Sequence, residues 1–96
     1  MTQKQLISEI RKERKRVQQN VRGMKKRGFF FDDFEIPTIE YTKKGNVSKR
    51  TLNRLKEITT DVLYERARWV DTETGEILIG KERRKQERHE RSQKSA

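Results

Sequence analysis

The opening 27 residues constrain this chain more than any other stretch. Leu6, Ile10, Val17, Val21 and Met24 recur at intervals of three, four and seven. At about 100° per residue they fall within an arc of roughly 60° on a helical wheel, with Ile7 at its edge. Lys4, Arg11, Lys15, Arg22 and Lys26 occupy an arc of similar width on the opposite side. At about 1.5 Å rise per residue this cationic row runs ~33 Å. The pattern predicts one long amphipathic helix over residues 2–27, with one face on a core and the other presenting regularly spaced positive charge.

The rest of the chain limits what that helix can join. Ninety-six residues, 29% of them apolar, allow one small domain with a thin core. Charged residues make up 42% and the formal net charge is +10, a balance that favours polyanions or anionic surfaces. The charge is uneven: +8 over residues 1–27, −2 over 28–47, zero over 48–80 and +4 over 81–96. Cysteine is absent, which excludes a disulfide framework or thiolate metal site and fits a reducing cytoplasm. No apolar run exceeds three residues, so no membrane-spanning segment is expected. Membrane-surface binding is disfavoured as well, because the oily residues of the first helix are the ones the core needs.

Gly28 is placed to cap the first helix, and Lys25, Lys26 and Arg27 suit the negative end of its dipole. Gly23 inside the helix marks either a close backbone approach or a bend. Residues 28–46 carry Phe29, Phe30, Phe31, Phe34, Ile36, Ile39 and Tyr41, and Pro37 excludes a central strand. This segment reads as irregular or extended, wrapping the first helix, with its phenylalanines in the core. Asp32, Asp33 and Glu35, with no His or Cys nearby, read as solvated or ion-paired rather than metal-binding.

Ser48 is an N-cap for a second helix, with Val47 and Leu52 as a hydrophobic staple and Leu52, Leu55 and Ile58 facing inward. Thr59 or Thr60 caps a short third helix with Val62 and Leu63 on its inner side. The pair outlines a helix-turn-helix, yet the second helix carries few groups suited to base edges, so a sequence-specific reader is not expected. Arg68-Trp69-Val70 and residues 76–79 flank DTETG, a β-hairpin signature with Trp69 as anchor. The fold expected is α+β and mostly helical: a long N-terminal amphipathic helix, two short helices, a small β-hairpin and a basic C-terminal helix or tail. Residues 1–80 form the single small domain, and residues 81–96 form an exposed helical or disordered tail, because no apolar side chain before Ala96 draws it onto a core. On a wheel Lys81, Arg84, Lys85, Arg88 and Arg91 share one face of that tail.

Catalysis has little to stand on. His89 is the sole histidine and lies in the tail, there is no glycine-rich phosphate loop, and no base accompanies Tyr41 or Tyr64. Neither an enzyme, a cofactor nor a small-molecule substrate is expected.

The order KKRGFFF, EIPTI, VSKRTLNRLKEITTDVLYERARWVDTETGEILIGKERRKQER spans most of the chain. It resembles the basic N-terminal module of uncharacterised proteins from phages and mobile elements of Gram-positive bacteria, with SKRTLNRLKEITTDVLYE, DTETGE and GKERR carrying the likeness. Proteins of that pattern continue beyond the basic tail, whereas this chain stops at Ala96. A stand-alone copy is similar to the small anti-CRISPR proteins such elements carry. That resemblance implies an inhibitor of a type II CRISPR effector nuclease in the bacterial host, acting through guide RNA or effector assembly. A charge of +10 opposes mimicry of DNA and entry into a positively charged effector channel, which leaves RNA or an acidic protein surface as direct partner.

Three functions follow as expectations. The first is a non-enzymatic nucleic-acid-binding protein, RNA favoured over DNA, whose phosphate contacts are Lys4, Arg11, Lys15, Arg22 and Lys26, aided by Lys81, Arg84, Lys85, Arg88 and Arg91. The second is a terminal protein, or its accessory factor, in protein-primed phage DNA replication. The third is a scaffold whose basic helix docks on an acidic host protein.

Overall fold

The computed structural model describes residues 2–94, with side chains through Arg91. The element order is α1 (Gln3–Lys26), β1 (Phe30–Phe31), α2 (Lys49–Glu57), α3 (Thr60–Arg66), β2 (Ala67–Val70), β3 (Ile77–Ile79) and α4 (Gly80–Lys94). The fold is α+β and mostly helical.

α1, α2 and α3 each begin where a hydroxyl can serve their open N–H groups. Thr2 and Gln5 form a reciprocal capping box on α1. Ser48 accepts from the Arg50 N–H at 3.1 Å to open α2, and Thr59 accepts from the Val62 N–H at 3.3 Å to open α3. Gly28 follows the end of α1 at φ +99, a backbone conformation that favours glycine, and a Cβ there would lie 3.2 Å from Trp69 Nε1.

The inward stripe of α1 is the one its spacing predicts: Leu6, Ile10, Val17, Val21 and Met24 are all buried. They join Phe29, Val47, Leu52, Leu55, Ile58, Leu63, Tyr64 and Ala67 in one core. Arg14 interrupts the stripe between Ile10 and Val17, is half-buried, and its Nε has no hydrogen-bond partner among the described residues. α1 lies chiefly along α2, while α4 lies along α3 and the β2–β3 hairpin.

The segment before α2 is held by polar ties. Buried Thr51 donates to the Thr38 carbonyl and accepts from the Glu40 N–H, both at 3.3 Å. The Val47 N–H donates to Gln3 Oε1 at 2.7 Å, fastening the loop to the start of α1. The phenylalanine segment divides more than its composition suggests. Phe29 is buried and stands edge-on to Tyr64, with ring centroids 5.6 Å apart. Phe31, Phe34, Ile36 and Ile39 pack on the core from its margin, whereas Phe30 and Tyr41 are exposed.

The physical reason is the sheet. Phe30 pairs with Arg68 and Phe31 with Ala67, which adds β1 as a third antiparallel strand, order β1-β2-β3. Alternation along paired strands then turns Phe31, Ala67, Trp69 and Leu78 inward and leaves Phe30, Val70, Ile77 and Ile79 on the outer face. The hairpin expected at DTETG is present: the Asp71 N–H donates to the Glu76 carbonyl at 2.9 Å and the Gly75 N–H to the Asp71 carbonyl at 2.8 Å.

The basic C-terminal segment, expected as an exposed helical or disordered tail, is the helix α4, mostly exposed beyond Gly80 with Arg83, Arg84 and Glu87 half-buried. Gly80 is buried at the seam of β3 and α4, where a Cβ would stand 2.7 Å from the Tyr64 carbonyl and 2.9 Å from Ala67 Cβ. From there the first turns of α4 are drawn onto aromatic faces instead of aliphatic ones. The Arg83 guanidinium lies 4.2 Å from the Trp69 ring centre and that of Arg84 lies 4.6 Å from that of Tyr64. Two cations with long alkyl stems thus do what a leucine would do in a less charged helix. Residues 95 and 96 of the expected tail lie outside the described residues.

Candidate nucleic-acid interface

The cations of this chain fall into two sets. One set holds the fold. Arg16 on α1 donates to the Leu55 and Ile58 carbonyls at 3.0 and 3.1 Å, serving the open C-terminal end of α2, and Glu13 holds it at 2.7 Å. Arg54 pairs with Glu40 at 3.2 Å, Lys81 with Glu65 at 3.5 Å and Arg84 with Asp61 at 3.1 Å. Arg83 reaches Glu87 and Glu90 at 3.6 and 3.7 Å.

The other set faces solvent. Along α1 the exposed cations without an ion pair or side-chain hydrogen bond among the described residues are Lys4, Arg11, Lys12, Lys15, Arg22, Lys25 and Lys26, and five of them, Lys4, Arg11, Lys15, Arg22 and Lys26, share one face. Their spacing of seven, four, seven and four residues repeats every eleven. An eleven-residue step is close to three turns of an α-helix, about 3.67 residues per turn, so the row runs nearly straight down the helix. A straight row of exposed cations creates a strip of positive potential along this face.

The five C-terminal candidates do not act as one matching row. Lys81 is tied to Glu65, and Arg84 is half-buried against Tyr64 and Asp61. Lys85 and Arg88 are exposed on α4. Arg84, Arg88 and Arg91 instead line a cleft of about 280 Å³ together with Arg27, Tyr64 and Glu87. Four arginines, one glutamate and one tyrosine therefore border this cleft.

Arg27 is the member of this cleft that sequence reasoning assigned only to the helix dipole. Its Nη1 donates to the Tyr64 hydroxyl at 2.6 Å and its Nη2 to Glu87 at 2.8 Å. The Tyr64 hydrogen bond, with smaller help from the Glu87 charge, holds the Arg27 pKa above its ordinary value despite partial burial. Arg27 stays cationic wherever the protein is folded. The signal that could have found it is its place at the end of α1 beside Gly28, where the chain must turn back over α3.

α3 itself is not available as a reading helix. Leu63 and Tyr64 are buried, Asp61 near its start is engaged by Arg84, and α4 lies along it. Asp32, Asp33 and Glu35 are exposed, and among the described residues no cluster of three or more acidic, His or Cys side chains is placed to hold a metal ion. Among the described residues, too, no helix is long and apolar enough to cross a membrane. No family model matches the chain, and neither does any curated protein or solved structure.

Proposed function

We propose that this chain is a non-enzymatic nucleic-acid-binding protein that follows backbone phosphates along the outward face of α1. The observation that carries this reading is the sorting of its cations. Arg16, Arg54 and Arg83 are engaged within the fold, while Lys4, Arg11, Lys15, Arg22 and Lys26 share one exposed face of α1 and, like Lys12 and Lys25, are unengaged among the described residues. A merely solubilising surface needs no such spacing. Recognition is of the phosphate backbone rather than of sequence, because the helix a helix-turn-helix would read with packs against α4 on one side and presents the carboxylates Asp61 and Glu65 on its exposed side.

The likeness to phage and mobile-element modules adds a setting in which the protein acts in the host cytoplasm. There RNA is the favoured polymer, and inhibition of a type II CRISPR effector through its guide RNA is the most specific form of the function.

The test is a salt titration of binding to labelled RNA and duplex DNA. Contacts to five phosphates give a log–log slope of about −4.5 on duplex and about −3.5 on single strands. Replacing Lys4, Arg11, Lys15 and Arg22 by Glu takes the net charge from +10 to about +2 and abolishes binding while the helical circular-dichroism signal persists. Replacing Ile10 and Val17 by Asp, both fully buried, unfolds the domain instead. Affinity that ignores salt, or a charge-reversed variant that binds as before, refutes the proposal.

A further inference from the structure

Gly23 has no explanation in the packing of the chain. It lies within α1, where glycine is a poor helix former, and it is exposed. A Cβ built on it meets nothing within 4 Å, so no close approach of another element requires its absence. What Gly23 adjoins is open space, a groove of about 240 Å³ whose polar walls include Gln19, Asn20 and Thr60. That groove and the arginine cleft share Arg27 and Tyr64 and so adjoin at this hydrogen-bonded pair; the two together are the trough bordered by α1, α3 and α4.

We propose that this trough is a second, built phosphate-gripping subsite, in which the sugar–phosphate backbone of a nucleic-acid strand lies directly against α1 at Gly23. The inference rests on the nucleic-acid-binding reading above and gives it a defined place. On a wheel Gln19, Gly23 and Arg27 lie about a quarter-turn from the exposed row, on the side of Lys26, so a strand following the row can enter the trough at the end of α1.

The chemistry suits phosphate. Guanidinium groups offer planar paired donors that match phosphate oxygens. Arg27 and Arg84 are held before any ligand arrives, the first by Tyr64 and Glu87 and the second by the Tyr64 ring and Asp61. Less ordering is then left to binding. Gln19, Asn20 and Thr60 add neutral donors of the kind that contact sugar and phosphate oxygens. Both parts of the trough are open to solvent, as a passing strand requires.

The experiment is fluorescence anisotropy of a labelled twelve-nucleotide single strand with the full chain and its variants, beside thermal melts. Gly23→Ala and Gly23→Leu both raise the melting temperature, since better helix formers enter open space. Gly23→Leu nevertheless weakens binding about tenfold, with Gly23→Ala between it and the parent. Affinity falling while stability rises is a pattern that a purely structural glycine does not give. Arg88→Gln, at an exposed position on the rim, weakens binding about fivefold and flattens the salt slope by about 0.7.

A Gly23→Leu chain that binds within about twofold of the parent overturns the subsite. If replacing Lys4, Arg11, Lys15 and Arg22 by Gln still abolishes binding in that case, the proposed function stands without it. A parent chain with no salt-dependent affinity removes both. Polyglutamate competing as well as an unlabelled strand of equal charge also overturns the subsite, in favour of an acidic protein.

Discussion

Arg16 and Gly80 each hold a junction that no apolar contact could hold. At the end of α2 the Leu55 carbonyl accepts from the Ile58 N–H, and Arg16 reaches across from α1 to add a second donor to it and to serve the carbonyl of the C-cap Ile58, while Glu13 fixes its position. Its side chain is 38% exposed, so the charged hydrogen bonds are partly screened by water. Arg16→Ala is expected to cost about 1–2 kcal/mol in urea denaturation, with Arg16→Lys recovering only part because one ammonium cannot span both carbonyls. Arg11→Ala, five residues away on the exposed row, is expected to stay within about 0.5 kcal/mol. At Gly80 the obstruction is backbone: the Tyr64 carbonyl lies 2.7 Å from where a Cβ would sit and cannot rotate away. Gly80→Ala is therefore expected to destabilise by about 1–3 kcal/mol, read from the same denaturation curves. Equal stability of the two arginine variants would show that the cations are not sorted as described.

Among the elements, α4 decides how much of the chain is one body. Its attachment rests on Arg83 over Trp69 and Arg84 over Tyr64, flanked by ion pairs to Asp61 and Glu65. The Arg83 side chain is only 20% exposed, which places its ring contact above the usual surface value, at about 1 kcal/mol or more. Trp69 is the sole tryptophan, so its emission reports α4 directly. Arg83→Ala is expected to shift that emission to longer wavelength and to speed amide exchange across residues 81–91 while α1 keeps its protection. An unchanged spectrum would mean that α4 is held elsewhere. The contrast with α1 explains what a sequence can reveal. Leu6, Ile10, Val17, Val21 and Met24 announce their common face because apolar side chains in water have one destination and helical spacing brings them to it. Ser48 and Thr59 announce their caps because the N–H groups they serve are two or three residues away. Arg16, Arg83 and Arg84 announce nothing, since a guanidinium is equally at home in water, on a ring or on a carbonyl, and the partner is chosen by elements 14 to 42 residues distant. β1 was hidden for a related reason: two residues show no alternation, and only the proximity of Arg68 and Ala67 makes them a strand. The same holds for the trough, whose walls come from three helices and whose one local clue, a glycine inside α1, fits several causes until its surroundings are known.

At the scale of the whole molecule, the chain is long and thin, 57 × 28 × 17 Å, with a radius of gyration of 17.2 Å against about 12.5 Å for a compact chain of this length. An elongated body with a thin core has little stability in reserve, and its two most positive segments, α1 and α4, meet at Arg27 and Arg84. Binding a polyanion there relieves repulsion that the fold otherwise bears. The unfolded chain, however, carries the same +10 and attracts the same polyanion. Only the difference between the two affinities stabilises the fold. Thermal melts with a short oligonucleotide therefore separate arrangement from charge. If the row on α1 and the trough beside it act as described, the oligonucleotide at about one hundred times its dissociation constant adds up to about 2.7 kcal/mol, a rise on the order of 10 °C for a domain of this size. Binding by charge alone gives the same anisotropy signal and no rise, because folded and unfolded chains then compete equally. The variant with Lys4, Arg11, Lys15 and Arg22 replaced by Gln supplies the control: its melting temperature without ligand stays near the parent value or above it, and the oligonucleotide moves it little.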